Sequence, residues 1–269
     1  MDFYRFLREL IEHFDERKNE LCRTLRELQQ RVFTSTGTYV SFTGSDEDYR
    51  RFWECAGNLG LTPRTAAAKE LYVPMPEARR EAFIIPSDVC FAARSIDPRR
   101  LDIATDGTWS VVSQVLSYDY LWNEIRVKGG AYGCGFRATI DRQLAFYTYR
   151  DPAIDPSLAR IDRAGSWLTS FDPDQEAFEG FIVSCAAGFD TPLKPYALTK
   201  RQNNEFFAKR PAGWRQHLRE QLLATTPEQV RALGATISRV AAEAPLCVFG
   251  GREIIEASHA DLVPVDLLA

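Results

Sequence analysis

The chain has 269 residues, enough for one large domain or for one domain with part of another. With 45% hydrophobic and 26% charged residues it has the composition of a globular protein that buries a core. Lys and Arg number 33 against 37 Asp and Glu, a net charge of −4, and neither a basic run nor an apolar run of bilayer length is present, so nucleic acid and membrane are not expected partners.

The N-terminal residues mix both charge signs with aromatics, unlike a secretory signal. Phe3, Phe6, Leu7, Leu10, Ile11 and Phe14 recur at helical spacing, which predicts an amphipathic helix over 2–15. Leu21, Leu25, Leu28 and Val32 continue or restart it. Residues 38–43 (Thr-Tyr-Val-Ser-Phe-Thr) are predicted as a strand. Ser45, with Asp48 three positions on, predicts a capped helix that buries Tyr49, Phe52, Trp53 and Ala56. Residues 60–80 lack periodicity, hold Pro63, Pro74 and Pro76, and read as a linker.

An alternating run starts at Ala82 and continues through Val89, Phe91 and Ala93. Trp109, Val112, Leu116 and Tyr120 mark a helix that leads into a glycine-rich segment. Residues 132–139 and 144–150 are predicted as an antiparallel hairpin turning at Asp141 and Arg142. Helices are expected near 156–170, 174–187, 198–209 and 212–224, with Gly188 ending the second. Thr226-Pro-Glu-Gln229 combines a cap, a proline at the first helical position and a capping-box glutamine. Val230, Leu233, Ile237 and Val240 give the helix it opens a buried face. Residues 245–249 form an apolar strand, and Arg252 to Ser258 a final helix. Strands separated by several helices, with one hairpin, argue for an α+β fold.

Two stretches echo one another. Val40-Ser-Phe-Thr-Gly-Ser-Asp-Glu-Asp-Tyr and Cys247-Val-Phe-Gly-Gly-Arg-Glu-Ile-Ile each run from a short strand through glycine into an acidic helix, about one domain length apart. The expected organisation is therefore 1–75 as the tail of one α+β domain with its linker, and 80–269 as a complete homologous domain. The six cysteines are widely spaced with no C-x-x-C, which predicts reduced thiols and a cytoplasmic location.

The chemistry-bearing residues cluster in Leu121-Trp-Asn-Glu-Ile-Arg-Val-Lys-Gly-Gly-Ala-Tyr-Gly-Cys-Gly135. Amide hydrolysis builds negative charge on the carbonyl oxygen, and donors preorganised around that oxygen are a large catalytic factor. Arg126 offers a permanently charged planar fork and Tyr132 a neutral hydroxyl. Glycines at 129, 130, 133 and 135 permit close approach of a peptide backbone. By themselves these residues are better explained as a charge that ends a helix and a tyrosine that fills a strand than as catalytic groups. Gly130-x-x-Gly133-x-Gly135 is not a phosphate loop, because the helix precedes it and a strand follows. The histidines, His13, His217 and His259, form no i, i+4 pair, and Arg17 stands where a second histidine after His13 would be needed for H-x-x-E-H. Ser184 lies in no G-x-S-x-G, and Cys134 reads as a small apolar strand residue. Phe146, Tyr147 and Tyr149 alternate across a strand, a stripe that is more often core than binding surface, though one face could line a chamber.

The Leu121–Gly135 segment closely resembles the C-terminal half of pitrilysin/insulinase-type zinc peptidases, most closely the presequence-protease subfamily. Glu81-Ala-Phe-Ile-Ile-Pro, Thr225-Thr-Pro-Glu-Gln-Val and Val248-Phe-Gly-Gly extend the likeness over most of 80–258. The resemblance implies an antiparallel-rich sheet flanked by helices, with Arg126 and Tyr132 completing an active site and Gly129, Gly130, Ala131 and Gly133 holding a peptide substrate. It also implies that zinc and its H-x-x-E-H ligands belong to an N-terminal partner half, in the same chain or a separate subunit. No metal or cofactor site is expected in this chain, which would be inactive alone. The alternative is a non-catalytic homologue serving as a structural or peptide-binding subunit; the intact Arg126, Tyr132 and glycine run argue against it.

Overall fold

A computed structural model describes residues 2–63, 79–140 and 142–266. The chain divides into two compact units, Met1–Met75 with Pro192–Arg210, and Pro76–Thr191 with Pro211–Ala269. The second domain is expected from sequence to run unbroken from 80 to 269, whereas Pro192–Arg210 groups with the first unit.

In the first unit, α1 (Asp2–Glu12) and α2 (Phe14–Val32) follow the amphipathic pattern. Ser45 caps α3 (Asp46–Ala56), its hydroxyl accepting from the Asp48 amide at 3.1 Å. The burial expected for α3 is not found. Tyr49 and Trp53 remain exposed, and Phe42, Tyr49, Phe52 and Trp53 pack mainly on one another. Residues 38–43 form no strand. A strand needs a neighbour for its backbone groups, and none of the described segments supplies one here. The likeness to residues 245–249 therefore stops at the local pattern. α8 (Pro195–Phe207) completes the unit, with Tyr39 set edge-on to Phe206 and Phe207. The predicted linker lies mostly outside the described residues.

The second unit carries a six-stranded sheet in the order β3-β4-β2-β5-β1-β6. Its strands are β1 (Glu81–Ile84), β2 (Cys90–Ile96), β3 (Gly133–Thr139), β4 (Gln143–Asp151), β5 (Leu246–Gly250) and β6 (Val263–Asp266). β3, β4, β2 and β5 are joined by antiparallel pairings, while β1 lies parallel to both β5 and β6. The expected α+β, antiparallel-rich sheet is present. The hairpin, the strand at 245–249 and the Thr226 capping box fall where predicted. The run from Ala82 resolves into two strands. β6 and the parallel pairings carried no local signal.

Alternation divides the sheet into two faces. Cys90, Ala92, Arg94 and Ile96 of β2 are buried, while Phe91, Ala93 and Ser95 point the other way. The buried face packs under α4 (Thr108–Val115) and its continuation, α5 (Ile154–Asp162), α6 (Ala164–Thr169) and α11 (Gly234–Glu243). Trp109, Leu116, Phe146, Leu246 and Ile237 are all but inaccessible to solvent. Each such side chain contributes about 1.5–3 kcal/mol relative to exposure. Arg94 and Asp151 are the charged side chains buried among the described residues of this unit: Arg94 donates to the Ala241 carbonyl at 3.0 Å and pairs with Asp162, and Asp151 accepts from the Ala153 amide at 3.2 Å. α7 (Gln175–Asp190) and α9 (Trp214–Leu223) pack outside this layer. α7 runs through Gly188, where an end was predicted, because no left-handed residue interrupts it there. The predicted long helix after Thr226 is split at Leu233 into α10 (Pro227–Ala232) and α11. α12 (Arg252–Glu256) closes the set.

All six cysteines are free. Burial pushes the thiol pKa of Cys90 up to about 12 and those of Cys134 and Cys185 up to about 11. All three thiols therefore stay protonated near neutrality. These raised values favour the folded state fully below the ordinary thiol pKa of 9.0, and the contribution is lost as pH rises through about 11 to 12. At pH 8, a chromogenic disulfide reagent is expected to titrate the exposed Cys22 and Cys55 rapidly, and Cys90, Cys134 and Cys185 only on unfolding. Rapid reaction of all six in the native protein would contradict this core.

Candidate active site

The site is built on an unusual helix. α4 passes without a break into a π-helix over Leu116–Val127. Each amide in such a helix bonds the carbonyl five residues back, and more than a single turn is rare. The sequence suits the wider turn, because the buried positions Leu116, Tyr120, Leu121 and Ile125 recur at four- to five-residue intervals. Tyr118, Trp122 and Arg126, spaced by four, form a second stripe that lines a cavity.

Two glycines end this helix for different reasons. A β-carbon on Gly129 would lie 2.4 Å from the Ile125 carbonyl oxygen and 2.6 Å from Arg160 Nη1, so the approach leaves no room for a side chain. Gly130 has φ +83°, a left-handed conformation that glycine adopts without strain. The chain then reverses. The Ala131 amide reaches back to the Ile125 carbonyl at 3.2 Å, and the Tyr132 amide donates to the Arg150 carbonyl at 3.3 Å, leading into β3.

This reversal sets Tyr132 beside Arg126. The guanidinium lies over the Trp122 ring at 4.2 Å and faces the Tyr132 ring at 5.4 Å. Arg126 Nη1 also donates to the Tyr132 carbonyl. Tyr118 stacks on Trp122 at 6.2 Å, and Tyr149 meets Tyr132 edge-on at 6.0 Å. These side chains, with Tyr147, Arg137 and Gly133, line an open cavity of about 470 Å³. The lining holds two arginines and no carboxylate, so it is suited to carbonyl oxygens and to developing negative charge.

Arg126, Tyr132 and Gly133 are thus brought to one cavity, with Tyr132 65% exposed. Gly129 instead faces the carbonyl of its own helix, and Gly130 forms the turn. Ala131 departs from its expected substrate-facing place. Its side chain is buried because the turn folds it back onto the core. The stacking residues Tyr118 and Trp122 are absent from the sequence-based site, although the four-residue steps from Tyr118 to Trp122 to Arg126 are a readable signal. Cys134 is an apolar strand position whose thiol donates to the Leu121 carbonyl at 3.1 Å.

Zinc does not fit the donor set. Among the described residues, no group of three or more His, Cys, Asp or Glu side chains could hold a metal ion. His13 is near Glu16, His217 contacts Gln221, and His259 contacts Asp155. The cavity offers guanidinium and hydroxyl donors, and its lining supplies no activated nucleophile.

Substitutions at three positions test this construction. Gly129→Ala is expected to destabilise the second unit by about 1–3 kcal/mol through forced overpacking, whereas Gly133→Ala, with only ordinary contact at 3.6 Å, should stay within about 0.5 kcal/mol. Thermal unfolding measures both, and equal effects would refute the packing argument. Trp122→Ala should sharply reduce the ring-current shift of the Arg126 side-chain protons in NMR spectra, leaving the smaller share from Tyr132, while Trp122→Phe preserves more of it. An unchanged shift in Trp122→Ala would show that the ring does not hold the guanidinium.

Comparison with known proteins agrees with this architecture. The PreP C-terminal domain family matches residues 80–243. Protein HypA of Clostridium perfringens is 24% identical over 257 residues, covering 95% of this chain and 26% of its own. Presequence protease 1 (chloroplastic/mitochondrial) of Arabidopsis thaliana is 24% identical over 270 residues, covering 96% of this chain and 24% of its own. This chain therefore spans about a quarter of the length of these relatives. Among solved structures, the peptidase M16 inactive domain from Pseudomonas fluorescens superposes with a TM-score of 0.53 at 16% identity, covering 77% of this chain and 51% of that one, a likeness of fold. With more than half its length matched, the chain belongs to the PreP C-terminal domain family.

Proposed function

We propose that this chain is the substrate-binding, oxyanion-stabilising part of a zinc metallopeptidase that degrades unstructured peptides. One observation carries the reading: Arg126 and Tyr132, six positions apart, converge on a single open cavity lined by arginine and aromatic side chains. The planar guanidinium and the phenol hydroxyl are two kinds of donor that a tetrahedral oxyanion accepts. The zinc, its ligands and the general base come from an N-terminal half. The presequence protease relative from Arabidopsis thaliana, of which this chain covers 24%, supports such a complement. A cytoplasmic location is part of the reading, supported by six unpaired thiols.

In this reading the chain's residues bind and orient; they do not attack. Arg126 is held by Trp122 and by the Tyr132 carbonyl, so its remaining donors have a fixed direction before substrate arrives. Preorganisation of this kind lowers the reorganisation needed in the transition state.

The test uses the enzyme assembled from this chain and its zinc-bearing counterpart. The chain alone should cleave no fluorogenic peptide. In the assembled enzyme, Tyr132→Phe should lower kcat/KM by roughly 10²–10³ with folding unchanged. Arg126→Lys should also be harmful, since a point charge does not reproduce the fork. Unchanged turnover in both variants would remove these residues from the mechanism and overturn the reading.

A further inference from the structure

The sheet face opposite the helices carries a row of rings that crosses the strands. Phe83 of β1 stacks on Phe249 of β5 at 4.7 Å, and Phe249 is the register partner of Phe91 on β2. Phe91 meets Tyr149 of β4 at 5.2 Å, and Tyr149 meets Tyr132, just before β3, at 6.0 Å. Tyr132 adjoins Arg126. Each strand ring neighbours a buried residue on the opposite face, Ala82, Val248, Ala92 or Thr148, so alternation fixes the row on the outer side. Phe249 is 39% exposed and Tyr149 48%. With strands about 4.8 Å apart, the row spans roughly 19 Å, the length of about six extended residues.

We infer that this row is a docking track for an extended peptide segment bearing aromatic or branched aliphatic side chains, feeding the cavity at Arg126 and Tyr132. The inference rests on the proposed function and adds the substrate's side-chain class. Three observations favour this occupant. The row is continuous with the Arg126–Tyr132 cavity. That cavity is cationic without a carboxylate, which suits the carbonyls of a bound backbone. Both sheet edges are also poor sites for strand addition. On β3, the Phe136 amide donates to Ser117 Oγ at 3.0 Å, and its carbonyl accepts from Ser113 at 2.6 Å and Ser117 at 3.0 Å. On β6, Pro264 lacks an amide donor. A peptide therefore gains more by laying side chains across the rings than by extending the sheet.

The experiment uses this chain and a fluorescein-labelled, Gly/Ser-rich peptide carrying several phenylalanines, compared by anisotropy with a matched peptide bearing alanines. The phenylalanine peptide should bind more tightly. Phe249→Ala and, separately, Phe83→Ala should each weaken it about threefold to tenfold, with circular dichroism and thermal unfolding confirming a folded protein. Equal binding of the two peptides, no binding of either, or unchanged affinity in both folded variants would overturn the track. So would concentration-dependent self-association of the chain that Phe249→Ala abolishes, since a second copy would then be the occupant. Phe83 and Phe249 lie outside the Arg126–Tyr132 pair, so the two ideas fail separately. Loss of the track leaves the Tyr132→Phe turnover defect in place, and loss of the catalytic reading leaves ring-dependent peptide binding in place.

Discussion

The packing of one continuous helix, Thr108 to Val127, against the buried face of the sheet positions most of what matters in the second unit. Val111, Val112, Val115, Leu116, Leu121 and Ile125 are almost wholly removed from water along its length. At about 1.5–3 kcal/mol for each large side chain, this burial far outweighs the cost of stretching the helix to a π geometry. The wider turn follows from keeping those residues on the sheet. It also aligns Tyr118, Trp122 and Arg126 along the opposite stripe.

From that constraint the candidate site follows. The helix ends where Gly129 packs too closely on the Ile125 carbonyl for any side chain and Gly130 takes a left-handed turn, and the reversal carries Tyr132 back to Arg126. The guanidinium is confined by an indole face and a backbone carbonyl, interactions that limit rotation more than they stabilise the fold. A cation–π contact at a partly exposed position contributes about 0.5–1 kcal/mol. Its larger consequence is direction, because the guanidinium is held at the cavity wall in a fixed orientation.

The first unit has a different balance. α1 and α2 are strongly amphipathic, yet Phe3 is 72% and Ile11 75% exposed, and α2 has no buried residue. Its aromatic rings, such as Tyr39 and Phe207, pack on one another, while α2, α3 and α8 bury no residue. An amphipathic period reports which face of a helix is apolar; it does not report that the face is covered.

The sequence by itself determined the local features: helical periods at 2–32 and 108–115, the Ser45 and Thr226 caps, the hairpin around 140, and the membership carried by Leu121–Gly135. These depend on residues within a few positions of one another, where spacing and hydrogen-bonding capacity suffice. It also placed Arg126 and Tyr132 together, because a short glycine run between helix and strand makes a reversal easy. Only tertiary structure decided the rest. The segment 38–43 has β-type composition but no partner strand among the described residues, whereas 246–250 gains two. The parallel placement of β1 between β5 and β6 and the ring row from Phe83 to Tyr132 arise between segments far apart in the chain. Their physical cause is the shared burial of one sheet face, which a linear pattern of side chains does not encode.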